Sequence, residues 1–115
     1  MAITEAYSGT ETVTTTEWSM TTDTSGPDAE TADGVYQIFI DASALVAGDV
    51  FEFTAYEKVL AASTQRKFFV ATISGVQATP NIVSPSFILM HGWDFTLKKT
   101  AGTDRSISWS IRKIA

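Results

Sequence analysis

The chain has 115 residues, a formal charge of −5 and a pI of about 4.6; that is the length of one domain, and the acidic balance speaks against a general nucleic-acid binder. It holds no Cys and a single His, which excludes disulfides, thiolate metal sites and a multi-histidine metal site within one chain. A hydrophobic fraction of 44% against 18% charged residues describes a globular chain with one core, and it leans away from an enzyme without naming a function.

The start, MAITEAYSGTE, has neither a basic stretch nor an apolar run, so a cytosolic product without a secretory signal is expected. The longest apolar runs, such as Phe87 to Met90, are too short to span a bilayer. Residues 1–20 are predicted to be an N-terminal arm or edge strand, because Thr10 to Met20 is Thr-rich and only Val13, Trp18 and Met20 are large and apolar. Thr21 to Gly34, with Gly26, Pro27 and a run of acids, reads as a loop. Residues 21–115 are then the body of the domain.

Val35 to Asp41 is predicted as a central strand with apolar groups on both faces. Asp41 to Asp49 is a turn with one helical turn around Ala44 to Ala47. Val50 to Val59 is a strand with Phe51, Phe53, Ala55 and Val59 inward and Glu52, Thr54, Tyr56 and Lys58 on the other face. Lys67 to Ser74 puts Phe68 and Val70 on one face and Phe69, Ala71 and Ile73 on the other. Pro80 and Pro85 make Asn81 to Ser84 irregular or an edge, and Phe87 to His91 is a short strand. Trp93 to Lys99 alternates with Trp93, Phe95 and Leu97 inward and Asp94, Thr96 and Lys98 outward. Ser106 to Ile114 alternates with Ile107, Trp109 and Ile111 inward and Ser108, Ser110 and Arg112 outward. With the turn at Gly102 these last two predict a C-terminal antiparallel hairpin.

The whole is an all-β chain of seven or eight strands without helix. Packing two sheets face to face buries the inward rows, so a single antiparallel β-sandwich of jelly-roll or Greek-key type is expected.

Charge is divided along the chain. Residues 1–57 contain eleven acids and no Lys or Arg, whereas residues 58–115 contain all eight basic residues and only Asp94 and Asp104. Opposite charges can face each other across paired strands, or they can remain separate faces that steer a partner or a second copy. On the second alternative Lys98 and Arg112, outward on their strands, join the arm residues Thr10, Thr12, Val13, Thr14 and Trp18 as candidate interface residues.

Catalytic and metal chemistry finds little footing. His91 reads as a strand-end histidine, and no nucleophile motif accompanies it. Asp23, Asp28, Glu30 and Asp33 share one loop and could hold Ca²⁺ through hard oxygen ligands, although the spacing is not that of an EF-hand. Trp93 and Trp109 fall on inward positions. Trp18, in the polar strand, is either exposed or covered by another chain.

Residues 92–114, GWDFTLKKTAGTDRSISWSIRKI, resemble the ending of small structural proteins of tailed bacteriophages. So do the start MAIT…YSGTETVTTTEWSM, Tyr56 to Lys58 and the SGVQATP stretch at Ser74 to Pro80. The motifs are structural, a hairpin and its turn, and they bring no defined site. The resemblance implies a virion component, most like a head decoration or cement protein. Such a protein is made in the host cytoplasm and sits on the capsid surface. It binds the major capsid protein, self-associates as a trimer or dimer, and uses no cofactor, nucleic acid or membrane. A tail- or fibre-associated β-domain, a carbohydrate-binding module and, last, an enzyme are the competing readings.

Overall fold

The computed structural model describes residues 2–114; Met1 of the expected arm and Ala115 of the expected body lie outside the described residues. The strands are β1 (Ile3–Val13), β2 (Trp18–Ser19), β3 (Thr24–Ser25), β4 (Gly34–Asp41), β5 (Val50–Glu57), β6 (Arg66–Ser74), β7 (Asn81–Val83), β8 (Phe87–Leu89), β9 (Asp94–Ala101) and β10 (Arg105–Ile114). Among the described residues there is no helix. Sheet A runs β1-β10-β4-β7, with β8 also paired to β4, and sheet B runs β3-β2-β9-β5-β6; every pairing is antiparallel. Four of these strands have two or three residues, which is why the count exceeds the seven or eight expected.

The core is the sum of the inward rows. Tyr36, Ile38 and Ile40 of β4 and Ile107, Trp109 and Ile111 of β10 face Phe51, Phe53 and Ala55 of β5 and Trp93, Phe95 and Leu97 at β9, all buried. Trp93 packs on Tyr36 with ring centroids 4.4 Å apart and on Phe95 at 5.3 Å. The indole N–H of Trp93 donates to Ala32 O at 3.0 Å and that of Trp109 to Met20 O at 2.8 Å, so neither donor is left unpaired in the interior.

The expected C-terminal hairpin does not form. β9 lies in sheet B between β2 and β5, and β10 lies in sheet A between β1 and β4. Alternation shows that a strand has one buried face; it does not show which strand is its neighbour. Here the two aromatic rows face each other across the core. The chain passes between the sheets through Gly102, whose φ of 88° suits glycine. A Cβ there would also lie 2.4 Å from Asp49 Oδ1.

Residues 3–13 are not a free arm. β1 pairs with β10 from Ile3↔Ile114 to Val13↔Arg105 and forms the edge of sheet A. Tyr7, Gly9, Glu11 and Val13 share the inward parity. Val13, expected at an interface, is therefore a core residue with 1% of its surface exposed.

Several other expectations shift. Ala42 to Asp49 makes two successive turns, closed by Leu45 N–H to Ala42 O at 3.3 Å and Asp49 N–H to Val46 O at 3.1 Å, in place of a helical turn. β5 ends at Glu57, so Val59 is outside the strand and 87% exposed rather than inward. Thr54, Tyr56, Asp94 and Thr96 do lie opposite the core row, but they are buried, because the Thr-rich segment and the loop after it fold back onto that face of sheet B.

Gly9 stands opposite Trp109 in the β1–β10 pair, and a Cβ built on it would lie 2.7 Å from Trp109 Cζ2. Gly9→Ala is expected to lower stability by about 1–3 kcal/mol through overpacking, and Trp109→Leu by about 1–3 kcal/mol through lost burial. Combined, they should cost clearly less than their sum, because the smaller side chain removes the clash. Denaturant midpoints of the two single variants and the double variant check this; strict additivity would show that Gly9 serves some purpose other than admitting the indole.

Candidate interaction surfaces

The outer face of sheet A is open. Cross-strand register places Ser8, Ser110, Phe39 and Val83 in one row and Thr10, Ser108, Asp41 and Asn81 in the next, with Thr12 beside Ser106. At its far end Ile3, Ile114, Val35 and Ile88 line up. Thr10 and Ser108 join their hydroxyls at 2.9 Å, and Ser110 donates to Glu5. The guanidinium of Arg112 lies over the Phe39 ring, 3.8 Å from its centroid, and its Nε donates to Ser110 Oγ at 3.2 Å. Two shallow depressions flank this stack, of about 170 Å³ and about 200 Å³.

The structure thus brings Thr10, Thr12 and Arg112 of the sequence-derived set onto one surface and separates the rest. Val13 is in the core. Thr14 is half-buried, and its carbonyl accepts from Lys99 N–H at 2.8 Å. Trp18 belongs to β2 on sheet B, packs against the core and donates its indole N–H to Asp23 at 3.0 Å. Lys98, on β9, faces Glu52 at 3.8 Å. Sequence reasoning placed Ser108 and Ser110 outward without counting them as contacts. It missed Phe39, because an aromatic in a strand with apolar groups on both faces reads as covered.

The outer face of sheet B is closed by a polar lid. Glu17 accepts from the Tyr56 hydroxyl and from Thr96 Oγ1 at 2.6 Å. Asp94 accepts from Thr21 Oγ1 at 2.7 Å, from Asp28 N–H at 2.8 Å and from Phe95 N–H at 2.9 Å. Burial pushes the Asp94 carboxyl up and wins over these hydrogen bonds, which pull it down. Burial, followed by the neighbouring Glu17, raises the Tyr56 phenol; burial and Glu30 push Tyr7 to about 12. Among the described residues no buried side-chain nitrogen or oxygen lacks a partner.

Three of the four loop acids considered for Ca²⁺ are engaged by protein donors. Asp23 takes the Trp18 indole, Asp28 the Thr22 and Thr24 hydroxyls at 2.6 and 3.2 Å, and Glu30 the Tyr7 hydroxyl at 3.2 Å. Among the described residues no three acidic or histidine side chains converge as a metal site would require. His91 is half-buried, and its backbone N–H is held by the Glu57 carboxylate at 3.2 Å.

The third surface is an apolar side formed where β6 ends sheet B and β7 and β8 end sheet A. Val59, Phe68 and Ile88 are exposed there around one shallow depression. A bulge opposite Ala55 and Tyr56 leaves Phe68 outside the pairing register, and its ring meets Phe87 of β8 at 5.1 Å. The charge division is resolved only in part. Glu5 stands opposite Arg112, and the ion pairs Glu52–Lys98, Asp49–Arg105 and Asp104–Lys99 use three bases internally. Lys58, Arg66 and Lys67 have no such partner among the described residues.

No family model, curated protein or solved structure matches the chain.

An electrostatic anchor lies at the crossing between the sheets. Asp49 accepts from Arg105 Nε at 2.7 Å, Thr103 N–H at 3.0 Å and Val46 N–H at 2.9 Å, and these hold its carboxyl down at about 2 from an ordinary 3.8. A carboxyl lowered in the folded state stabilises the fold above its unfolded value and loses that contribution as pH falls through the folded one. Asp49→Asn should therefore be less stable than the parent at pH 7, with the gap closing between about pH 4 and pH 2. Asp94 acts in the opposite sense and is common to both proteins, so the difference isolates Asp49. Urea midpoints across that range check it; parallel profiles would refute the assignment.

Proposed function

We propose that this chain is a non-enzymatic virion protein of a tailed bacteriophage that binds the outside of the capsid and stabilises contacts between major capsid subunits. The observation that carries the reading is the open outer face of sheet A. It is a broad strand surface of hydroxyls around the Arg112–Phe39 stack, with apolar residues at one end. Its depressions are shallower than the few hundred Å³ of a ligand pocket, which suits contact with another surface better than capture of a small molecule. The resemblance of residues 92–114 and of the N-terminal stretch to phage structural proteins supplies the partner class. Many copies on a shell make individually modest contacts sufficient through multivalency.

The finer fold reading belongs with this proposal. Sheet orders β1-β10-β4-β7 and β3-β2-β9-β5-β6 support a jelly-roll sandwich. The chain changes sheet at every step except β2 to β3, β5 to β6 and β7 to β8, and the N-terminal strand lies beside the C-terminal one. The carbohydrate alternative gains little, because Trp93 and Trp109 are buried, Trp18 is half-buried, and Arg112 occupies the Phe39 ring face.

The test is binding of the purified chain to heads of the parent virus assembled without it. Binding should saturate at a copy number set by the shell lattice. Arg112→Glu with Ser108→Arg should weaken binding by about tenfold or more, the scale of one central contact, with thermal unfolding showing that both variants remain folded. Unchanged binding would remove sheet A as the contact face, and attachment of a few copies at the tail alone would overturn the capsid reading.

A further inference from the structure

The depression on the β6–β8 side measures about 180 Å³ and lies between Val59, just past β5, Phe68 of β6, and Ile88 and Leu89 of β8, with Glu57 and Lys58 on its border. Glu57 is the one acid there, and its carboxylate is turned onto the backbone. It accepts from the N–H groups of Lys58 at 2.9 Å, Met90 at 2.7 Å and His91 at 3.2 Å, which ties the end of β5 to the turn after β8. The bases have no such engagement. Lys58 lies along Gly92, where a Cβ would stand 3.1 Å from Lys58 Cε, and Arg66 stands opposite Glu57 in the β5–β6 pair. Among the described residues no carboxylate comes within ion-pair distance of either. Residues 58–93 contain no acid. Where the lid reaches this side it offers Gln65 only the Asp28 carbonyl, at 2.6 Å, while the Asp28 carboxylate accepts from Thr22 and Thr24.

We propose that this depression docks an acidic segment of a partner protein, with one apolar side chain of the segment seated against Val59, Phe68 and Ile88 and the flanking carboxylates paired with Lys58 and Arg66. The floor is anchored in the core, since the Phe68 ring meets Phe87 at 5.1 Å and Phe87 meets the buried Phe95 at 5.8 Å. Val59 is 87% exposed and Ile88 85%, apolar surface of the kind that marks an interaction site. The volume is below that of a small-molecule pocket and suits a single large side chain. Two bases without acids of their own set the charge of what surrounds that side chain. An anionic lipid surface carries the same charge, but a concave apolar floor receives a side chain and does not insert into a bilayer. The proposal does not depend on the capsid reading.

NMR titration of the isotope-labelled chain with two blocked peptides, Glu-Glu-Leu-Glu-Glu and Lys-Lys-Leu-Lys-Lys, tests it. The acidic peptide should shift the amides of Lys58, Val59, Phe68 and Ile88, with a Kd about tenfold or more below that of the basic one, and high salt should narrow that gap. Arg66→Gln should weaken binding of the acidic peptide and flatten its salt dependence. Val59→Ser should weaken it to the same degree at low and high salt, by about tenfold if Val59 is a central contact. Both residues are exposed, so the thermal midpoints should not move. Equal binding of the two peptides, shifts confined to another face, or no shift at millimolar acidic peptide would overturn the proposal. Cosedimentation with phosphatidylglycerol vesicles that Arg66→Gln abolishes would overturn it in favour of a lipid.

Discussion

β9 and β10 follow each other in the chain yet lie in different sheets, face to face, and the rest of the molecule is arranged around that opposition. Trp93, Phe95 and Leu97 look across at Ile107, Trp109 and Ile111, all buried. Each of the two strands is flanked on both sides by strands from earlier in the chain. Four of the eight strand pairings include one of this pair. The crossing between them is short and is anchored by Asp49, which binds Arg105 and Thr103 beyond the turn and Val46 before it. Gly9 is the matching concession on β1, where only a hydrogen leaves room for the Trp109 ring.

Covering one sheet and leaving the other bare follows from the same arrangement. Trp18 and Ser19 extend sheet B next to β9, so residues before and after them cross its outer face and bring Glu17, Thr21 and Asp28 onto Tyr56, Thr96 and Asp94. The buried Asp94 carboxyl is tolerable there because a hydroxyl and backbone N–H groups surround it. Sheet A has no equivalent lid, and its outer face is the surface on which the functional proposal rests. The acidic N-terminal half is used partly in that lid and partly in ion pairs with later strands.

Much of this was legible in the residues. The short strands bounded by turn residues and the inward rows of Trp93 to Lys99 and Ser106 to Ile114 determine an all-β chain with a two-sheet core, because period-two alternation is a local property of each strand. The outward parity of Ser108 and Arg112 follows from the same rule. Partner choice does not, since hydrogen-bonded neighbours are selected by long-range packing that alternation leaves open. Only the tertiary structure decided that β9 and β10 face each other instead of pairing, that β1 joins β10 and buries Val13, and that Asp94 and Thr96 lie beneath a lid. It also decided that Lys98 found Glu52 and Arg105 found Asp49, because those ion pairs depend on the distance between strands that the sequence places dozens of residues apart.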